Sequence, residues 1–177
     1  MKPTASPDAA LLSRRSPSRW RLFACMMYEA VLLFGVVFFA DYIFDTLTQS
    51  RSGLTLLGPR QAVLFVAIGV YFLLCWRKHG QTLPMKTWNI RLVGRQAIRP
   101  SLGQLVLRYV LCWPVPLLGA YLVYLASTSL GWPSVTLFIV FTPFLNFVYS
   151  WFDRDGLMLH DRLAGTRLAD LSPAAIQ

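Results

Sequence analysis

The chain has 177 residues, of which 55% are hydrophobic and 14% are charged, and its formal net charge is +9. A soluble domain of this length does not need so large an apolar fraction for its core, so the composition predicts a membrane protein. A strongly basic chain can bind nucleic acid or anionic lipid, but the basic residues here flank apolar segments, which is the pattern of a topology signal. Nucleic acid is therefore not an expected partner.

Residues 1–20 are predicted to form a disordered basic tail. They are rich in Pro, Ser and Ala and show no hydrophobic period. Their arginines act as an orientation signal and can hold anionic lipid headgroups, each contributing about 1 kcal/mol. A cleaved signal peptide is rejected, because the apolar segment that follows exceeds the usual length of about 7 to 15 residues and lacks a small-x-small cleavage site.

Four apolar segments are long enough to cross the hydrocarbon layer of roughly 30 Å, which takes about 20 helical residues. The predicted fold is an all-α membrane protein, a four-transmembrane-helix bundle with a small cytoplasmic β-ribbon and a short interfacial C-terminal segment. The membrane domain covers residues 21–171 and is followed by a tail at residues 172–177. Its spans are predicted at about residues 22–44, 58–76, 102–126 and 132–152.

Arginines and lysines are distributed unevenly between the apolar segments. They are concentrated in the N-terminal segment, in the connection between the second and third spans and in the C-terminal tail, whereas the other connections contain only Arg51 and Arg60. By the positive-inside rule, both termini face the cytoplasm. The chain is therefore predicted to be a multi-pass membrane protein, with the lipid bilayer as its main partner.

The cytoplasmic connection between the second and third spans predicts a short β-ribbon. In TWNIRLV the side chains alternate, and Gly94 provides a turn before QAIR. An isolated hairpin is marginally stable, and TRLADL near the C-terminus alternates in the same way, so we expect it to add a strand. Ser101 is the predicted N-cap of the third span. A short interfacial helix is expected from Leu157 to Ala164, ended by Gly165.

Prolines interrupt the last two spans. Pro114, Pro116 and Pro143 are expected to kink these helices and to free the backbone carbonyls one turn earlier, near Val110, Cys112 and Ile139. Kinked packing is the commoner outcome of such prolines, and broken transporter helices are the functional one. The sequence leaves both interpretations open.

No motif for catalysis or metal binding is recognisable. The three cysteines lie inside predicted spans, so neither a disulfide framework nor a CxxC metal site is expected. The stretch DRDG at 153–156 lacks the ligand series of an EF-hand, and His160 with Asp161 has no nucleophile near it in sequence. We therefore expect no enzyme, no cofactor and no metal.

Polar residues inside the spans are the best functional candidates because they are few. Counting about 1.5 Å per residue from the cytoplasmic ends places Glu29, Arg108 and Asn146 at roughly the same depth, 9 to 11 Å. A lone charge at a helix centre costs about 2.5 to 3.5 kcal/mol, so Glu29 and Arg108 are predicted to pair. This polar layer can tie helices together, or it can relay protons or ions.

Several stretches resemble the RDD family of bacterial membrane proteins, which is named for one arginine and two aspartates. They are HGQTLPMKTWNIRLV, LRY at 107–109 and LHDRLAGTRL at 159–168, and the similarity runs from about Arg21 to Leu168. By this resemblance, Arg21 is the family's arginine, Glu29 stands at its first aspartate and Asp161 is its second. The resemblance suggests transport, and with the predicted topology it implies a location in the bacterial cytoplasmic (inner) membrane. We also expect Asp161 at the membrane surface, near Arg21 or the basic connection.

Two classes of function follow. The first is the transport of a small ion or solute through the polar layer near the cytoplasmic side, in a homo-oligomer since four spans enclose little room. The second is a non-catalytic accessory or assembly protein that docks a membrane-protein partner through its basic cytoplasmic face. A buried carboxylate without a fixed partner favours the first class, and a fully paired polar layer favours the second.

Overall fold

The computed structural model describes residues 11, 14–49, 56–95, 99–153 and 156–172. Most of the predicted disordered tail, most of the QAIR strand and most of the C-terminal tail lie outside these residues. The elements, in chain order, are α1 (Arg19–Thr48), α2 (Leu57–His79), α3 (Leu83–Thr87), β1 (Ile90–Gly94), α4 (Leu102–Leu111), α5 (Pro114–Leu130), a 3₁₀ helix (Pro133–Phe144), α6 (Leu145–Tyr149), α7 (Leu159–Ala164) and β2 (Thr166–Asp170).

Three helical stretches are long and apolar enough to cross a membrane. They are Arg19–Thr48, Leu57–Thr87 and Leu102–Leu130, with mean hydropathies of 2.2, 1.7 and 1.7 over their most apolar windows. Only 11% of each window is buried within the chain, so large apolar side chains such as Phe34 and Phe39 are exposed. A soluble monomer rarely exposes apolar surface on this scale, whereas a bilayer solvates it. The predicted membrane character is confirmed.

The third of these stretches is not one continuous helix. It breaks between Leu111 and Pro114, where α4 ends and α5 begins. Pro114 lacks a backbone N–H and stands at the first position of α5, where a helix needs no such donor. The proline pair therefore divides the predicted span into a shorter helix before the prolines and a longer helix that continues to Leu130.

The fourth apolar segment differs from the prediction of an α-helical span over residues 132–152. A 3₁₀ helix of 12 residues is followed by α6, which has 5. Pro143 cannot donate the hydrogen bond that an α-helix requires at its position, which favours the tighter winding before it. Together the two elements form one apolar helical segment, Pro133–Tyr149, which is shorter than the predicted span of residues 132–152.

The chain divides into two compact units. The first unit comprises residues 17–91 and contains the hairpin of α1 and α2, with α3 packed on α1. The second unit comprises residues 1–16 and 92–177, and in it α4 packs on α7 while α5 packs on the 3₁₀ helix. Gly119 lies at this approach, where an added Cβ would lie 3.4 Å from Thr142 Cβ in the 3₁₀ helix and would require the Leu145 side chain of α6 to move.

The predicted pairing of the NIRLV and TRLADL stretches is confirmed, since β1 and β2 form a two-stranded sheet. Most of its apolar residues are fully buried, among them Leu92, Val93 and Ala169 at 0% exposure, whereas Leu168 is half-buried. The N-terminal segment borders β2, where the Asp170 N–H donates to the Arg15 carbonyl at 3.0 Å. This contact, together with the burial of the sheet, provides the cover that an isolated ribbon needs.

Two helix ends follow their sequence signals. Ser101 caps α4 in a capping box, where its hydroxyl accepts from the Gln104 N–H at 3.3 Å and the Gln104 amide oxygen accepts from the Ser101 N–H at 2.9 Å. Gly165 ends α7 at φ +65°, a left-handed conformation that glycine adopts without strain. Ser101 thus fixes where α4 begins, and Gly165 fixes where α7 ends. These two helices position the polar residues of the second unit.

Candidate functional site

Glu29 lies in the first unit, half-buried on α1. Both of its carboxylate oxygens accept hydrogen bonds from hydroxyl groups. Tyr71 of α2 donates to Oε1 at 2.7 Å, and Thr82 donates to Oε2 at 2.5 Å. Within the described residues of this unit, no arginine or lysine forms an ion pair with Glu29. Neutral donors alone therefore stabilise this carboxylate.

The two donors of Glu29 come from segments on either side of one turn. Tyr71 lies on α2, while Thr82 is the N-cap of α3, and its hydroxyl also accepts from the Met85 N–H at 3.4 Å. Sequence reasoning missed both residues, because contacts between separate helices are not visible in a local sequence pattern. The TLPM stretch carried a signal, since a threonine two residues before a proline is a typical helix start.

Arg21 reaches the other end of α3. Its guanidinium donates to the carbonyl of Trp88, which is the C-cap of that helix. Arg21 and Glu29, both predicted from the sequence as functional residues of α1, are thus both bound to α3 or its caps. The sequence placed them at the start of one helix, but it gave no indication that they share a target.

A second polar group of the first unit lies at the opposite end of the hairpin. Arg60 of α2 binds Asp41 at 2.6 Å and Asp45 at 2.5 Å, both on α1, and lies over the ring of Phe44 at 5.3 Å. Sequence reasoning treated Arg60 as a loop charge. The spacing of the two aspartates, four residues apart and so on one helix face, was the signal that could have found this group.

Arg108 and Asp161 form the centre of the second unit. They make an ion pair in which both side chains are almost fully buried, at 6% and 2% exposure. Thr166 completes the group, donating to Asp161 Oδ1 at 2.8 Å and lying 3.3 Å from the Arg108 Nη1. Each charge is compensated, as burial in an apolar environment requires.

Two predictions are corrected by this group. The carboxylate bound to Arg108 is that of Asp161, so the predicted pairing of Arg108 with Glu29 was wrong. Asp161 is buried at 1% exposure, and its ion pair is made with Arg108 rather than with Arg21 or a basic residue of the connection. The physical reason is that α7 packs along α4, which brings residue 161 to residue 108. No local sequence period reports a contact over that separation.

His160 lies next to this ion pair and is 4% exposed. Its Nε2 is 3.7 Å from Asp161 Oδ2, which is too long for a hydrogen bond. Burial lowers the pKa of His160 well below its usual value, and the nearby charge of Arg108 lowers it further. The imidazole is therefore neutral at neutral pH.

Asn146 bridges two broken helices in the second unit. Its Nδ2 donates to the Cys112 carbonyl at 2.8 Å, and Cys112 stands four residues before Pro116. The Thr142 hydroxyl donates in the same way to the Ile139 carbonyl at 2.8 Å, four residues before Pro143. The freed carbonyls predicted at Cys112 and Ile139 are thus satisfied by side chains, and Asn146 has a packing role.

The described residues contain no group of three or more His, Cys, Asp or Glu side chains that could hold a metal ion. By their contacts, the five predicted site residues fall into three groups. Arg21 and Glu29 bind the α3 segment in the first unit, Arg108 and Asp161 bind one another in the second unit, and Asn146 joins the proline-broken helices. The chemistry available is proton or cation exchange at a carboxylate held by hydroxyl groups.

A family model for the RDD family matches residues 16–165. The match covers most of the chain and includes Arg21, Glu29, Arg108, Asn146 and Asp161. A comparison with curated proteins finds no match.

Proposed function

The chain belongs to the RDD family, and we propose that it is a multi-pass protein of the bacterial cytoplasmic membrane that transports a small ion or solute by way of Glu29. One observation carries this proposal. Glu29 is a carboxylate on a membrane-crossing helix whose described partners, Tyr71 and Thr82, are both uncharged. Such a group can gain and lose a proton or a small cation without breaking an ion pair.

Several other described acids differ from Glu29 because each forms an ion pair with an arginine. Asp41 and Asp45 are bound to Arg60, Asp161 to Arg108 and Asp153 to Arg162. An acid bound to a guanidinium is held in its charged form, because protonation would leave the arginine without compensation. Glu29 is therefore the best-suited group for exchange, and the paired acids serve the structure. We assign no enzymatic activity to any of them.

Four crossings of the membrane fit the dimensions of the elements. A 3₁₀ helix rises about 2.0 Å per residue and an α-helix about 1.5 Å, so the 12 residues of the 3₁₀ helix and the 5 of α6 together extend roughly 31 Å. This equals the thickness of the hydrocarbon layer, about 30 Å. With the positive-inside rule, it supports both termini in the cytoplasm.

The surroundings of the protein follow from the same distribution of residues. The exposed apolar faces of α1, α2 and α5 fit the acyl chains of the bilayer, and the basic N-terminal segment fits anionic headgroups. Four helices enclose little space for a solute path. A homo-oligomer, or a complex with another membrane protein, is therefore part of the proposal.

Flux measurements on the purified protein in liposomes test the proposal. An imposed pH gradient with a panel of monovalent cations should drive transport by the wild-type protein. Glu29→Gln should lower the flux at least tenfold, which corresponds to about 1.4 kcal/mol. Tyr28→Phe is the matched control, because it removes a neighbouring hydroxyl from the same helix, and its flux should equal that of the wild type. Wild-type flux in Glu29→Gln would exclude the proposed role.

A second function is favoured by the second unit. Its buried polar group of Arg108, Asp161 and Thr166 is closed by mutual contacts, as expected of an accessory or assembly protein whose polar residues only hold the fold. This alternative predicts that no gradient of the panel drives flux in the wild-type protein. Transport and assembly are therefore distinguished by the same preparation of liposomes.

A further inference from the structure

The short helix α3 is held to α1 at both of its ends. At its N-terminus, the Thr82 hydroxyl donates to Glu29 at 2.5 Å. At its C-terminus, the Trp88 carbonyl accepts from the Arg21 guanidinium. A negative group thus faces the N-terminus of α3 and a positive group faces its C-terminus, which is the favourable arrangement for a helix dipole.

The spacing of these contacts defines how α3 lies on α1. Arg21 and Glu29 are eight residues apart on α1, or about 12 Å along its axis. Thr82 and Trp88 are six residues apart, or about 9 Å if the whole segment is taken as helical. Since Thr82 meets Glu29 and Trp88 meets Arg21, α3 runs antiparallel to α1 and covers the stretch between them. Met85, at the middle of α3, is 6% exposed.

Thr82 is the residue through which the charge of Glu29 can act on α3. Its hydroxyl oxygen accepts from the Met85 N–H while its hydrogen is donated to Glu29 Oε2. The N-cap of α3 and the carboxylate are therefore joined through one hydroxyl group, which is 98% buried (2% exposed) with its residue. This arrangement requires Glu29 Oε2 to be an acceptor.

Neutralising Glu29 reverses this requirement. If Oε2 takes a proton from cytoplasmic water, a new O–H bond forms there and the oxygen becomes a donor toward Thr82. The hydrogen of the Thr82 hydroxyl then has no acceptor in Glu29, and the charge that favoured the N-terminus of α3 is lost. A bound monovalent cation has a similar effect, because it occupies the same oxygen lone pairs.

We propose that α3 is a gate over Glu29, closed by Thr82 when the carboxylate is charged and released at that end when the carboxylate is neutralised, with Arg21 as the tether at the other end. The gate would regulate access to Glu29 during transport, and in this respect it rests on the proposed function. Its mechanical part rests on the contacts of Glu29, Thr82, Arg21 and Trp88. Thr82 is a positioning residue in this scheme, and the order of events is binding at Glu29 followed by opening of α3.

Hydrogen exchange of the α3 amides in nanodiscs measures the gate without measuring transport. The Met85 N–H is protected by the Thr82 hydroxyl, and the Lys86 and Trp88 N–H groups by backbone carbonyls. Glu29→Gln mimics the neutral acid and should raise exchange over residues 83–88 roughly fivefold, since the loss of one hydrogen bond shifts a local opening equilibrium by about that factor. Exchange of α7 in the same molecule should not change.

Two substitutions of Thr82 distinguish the effect of its hydroxyl group from the effect of its packing. Thr82→Ser keeps the hydroxyl and should retain wild-type exchange, whereas Thr82→Val keeps the volume, removes the hydroxyl and should open α3 as Glu29→Gln does. In the wild-type protein, exchange corrected for its intrinsic pH dependence should rise as acid neutralises Glu29. This rise should be absent from Glu29→Gln and from Thr82→Val.

The groups around Glu29 limit what else could produce such a pH dependence. The ionisable groups on the elements that pack against Glu29 include Arg21, Cys25, Tyr71, Cys75, His79 and Lys86. Thiols and phenols ordinarily titrate near 8.5 and 10, above the acid range. His79 is exposed at the end of α2, and His79→Gln is its control, in which the rise should persist.

Exchange and flux together distinguish the gate from the transport role. If Glu29→Gln abolishes flux but leaves exchange of α3 at the wild-type rate, the gate is excluded and the transport role stands. If exchange rises while flux is unchanged, the gate stands and the transport role of Glu29 is excluded. Should Glu29→Gln fail to fold, Thr82→Val and the wild-type pH profile decide, and a flat profile excludes the gate.

Discussion

The two units of the molecule place a carboxylate in apolar surroundings in different ways. In the first unit, Glu29 is held by two hydroxyl groups. In the second, Asp161 is held by Arg108 and a hydroxyl group. A hydroxyl group can donate a hydrogen bond to a charged carboxylate or accept one from a neutral carboxylic acid, whereas a guanidinium can only donate and so favours the charged form. One carboxylate is thus held by uncharged donors, and the other is held in an ion pair.

The largest expected effect comes from breaking the fixed pair. Asp161→Asn or Arg108→Gln should each lower the free energy of unfolding by about 3 to 5 kcal/mol, because each leaves an uncompensated buried charge or donor set. Thermal unfolding in detergent measures this loss. Arg77→Gln, at an exposed position, is the control and should change stability by less than about 0.5 kcal/mol.

A double-mutant cycle on the same pair sharpens the result. The double variant Arg108→Gln, Asp161→Asn should lose much less stability than the sum of the two single variants, since it removes both charges together. Simple additivity would mean that the two side chains do not interact in the folded protein, and the contrast with Glu29 would be lost.

A smaller effect is expected where helices are broken rather than charges buried. Asn146→Ala leaves the Cys112 carbonyl without its donor at a position where Pro116 prevents a backbone replacement. The expected cost is about 1 to 3 kcal/mol of unfolding free energy. Asn146→Gln, whose longer amide cannot reach the carbonyl in the same geometry, should restore little of it, and full stability in either variant contradicts the bridging role.

His160 adds a pH dependence to the second unit. Because its pKa is lowered in the folded state, the unfolded chain binds the proton more readily, and stability is lost as pH falls below the ordinary histidine value of about 6.5. No such loss is expected above that value. Unfolding midpoints in detergent at several pH values, compared with His160→Gln, isolate this contribution, which should be absent from the variant.

The smallest effect on stability is expected from the substitution of Glu29. Glu29→Gln keeps the volume of the side chain and one acceptor, so Tyr71 or Thr82 can still be satisfied, and the unfolding free energy should fall by about 1 kcal/mol or less. A loss as large as that of Asp161→Asn would show that Glu29 is a structural acid. The comparison between the two units would then fail.

Local signals in the sequence were enough to predict several parts of the fold. The capping box at Ser101, the stop at Gly165 and the alternation in TRLADL each depend on neighbouring residues, and the structure contains all three. The same holds for the carbonyls freed by Pro116 and Pro143, which depend only on the missing N–H of proline. Rules that act within one or two turns are readable without tertiary structure.

Contacts between distant segments were not readable. Arg108 and Asp161 are bound because α7 packs on α4, and depth counted along separate spans suggested Glu29 instead. Depth restricts a residue to a layer, but it does not say which helices are neighbours. The donors Tyr71 and Thr82 were missed for the same reason. The 3₁₀ winding of residues 133–144 was missed because this mostly apolar segment shows no period that distinguishes 3.0 from 3.6 residues per turn.

The central claim is that Glu29 changes its protonation state while Asp161 does not. Infrared difference spectroscopy of the protein in lipid, recorded during acidification, detects the carbonyl band of each newly protonated carboxyl group. We expect a band that persists in Asp161→Asn and disappears in Glu29→Gln. A band that is lost in Asp161→Asn and kept in Glu29→Gln would contradict it.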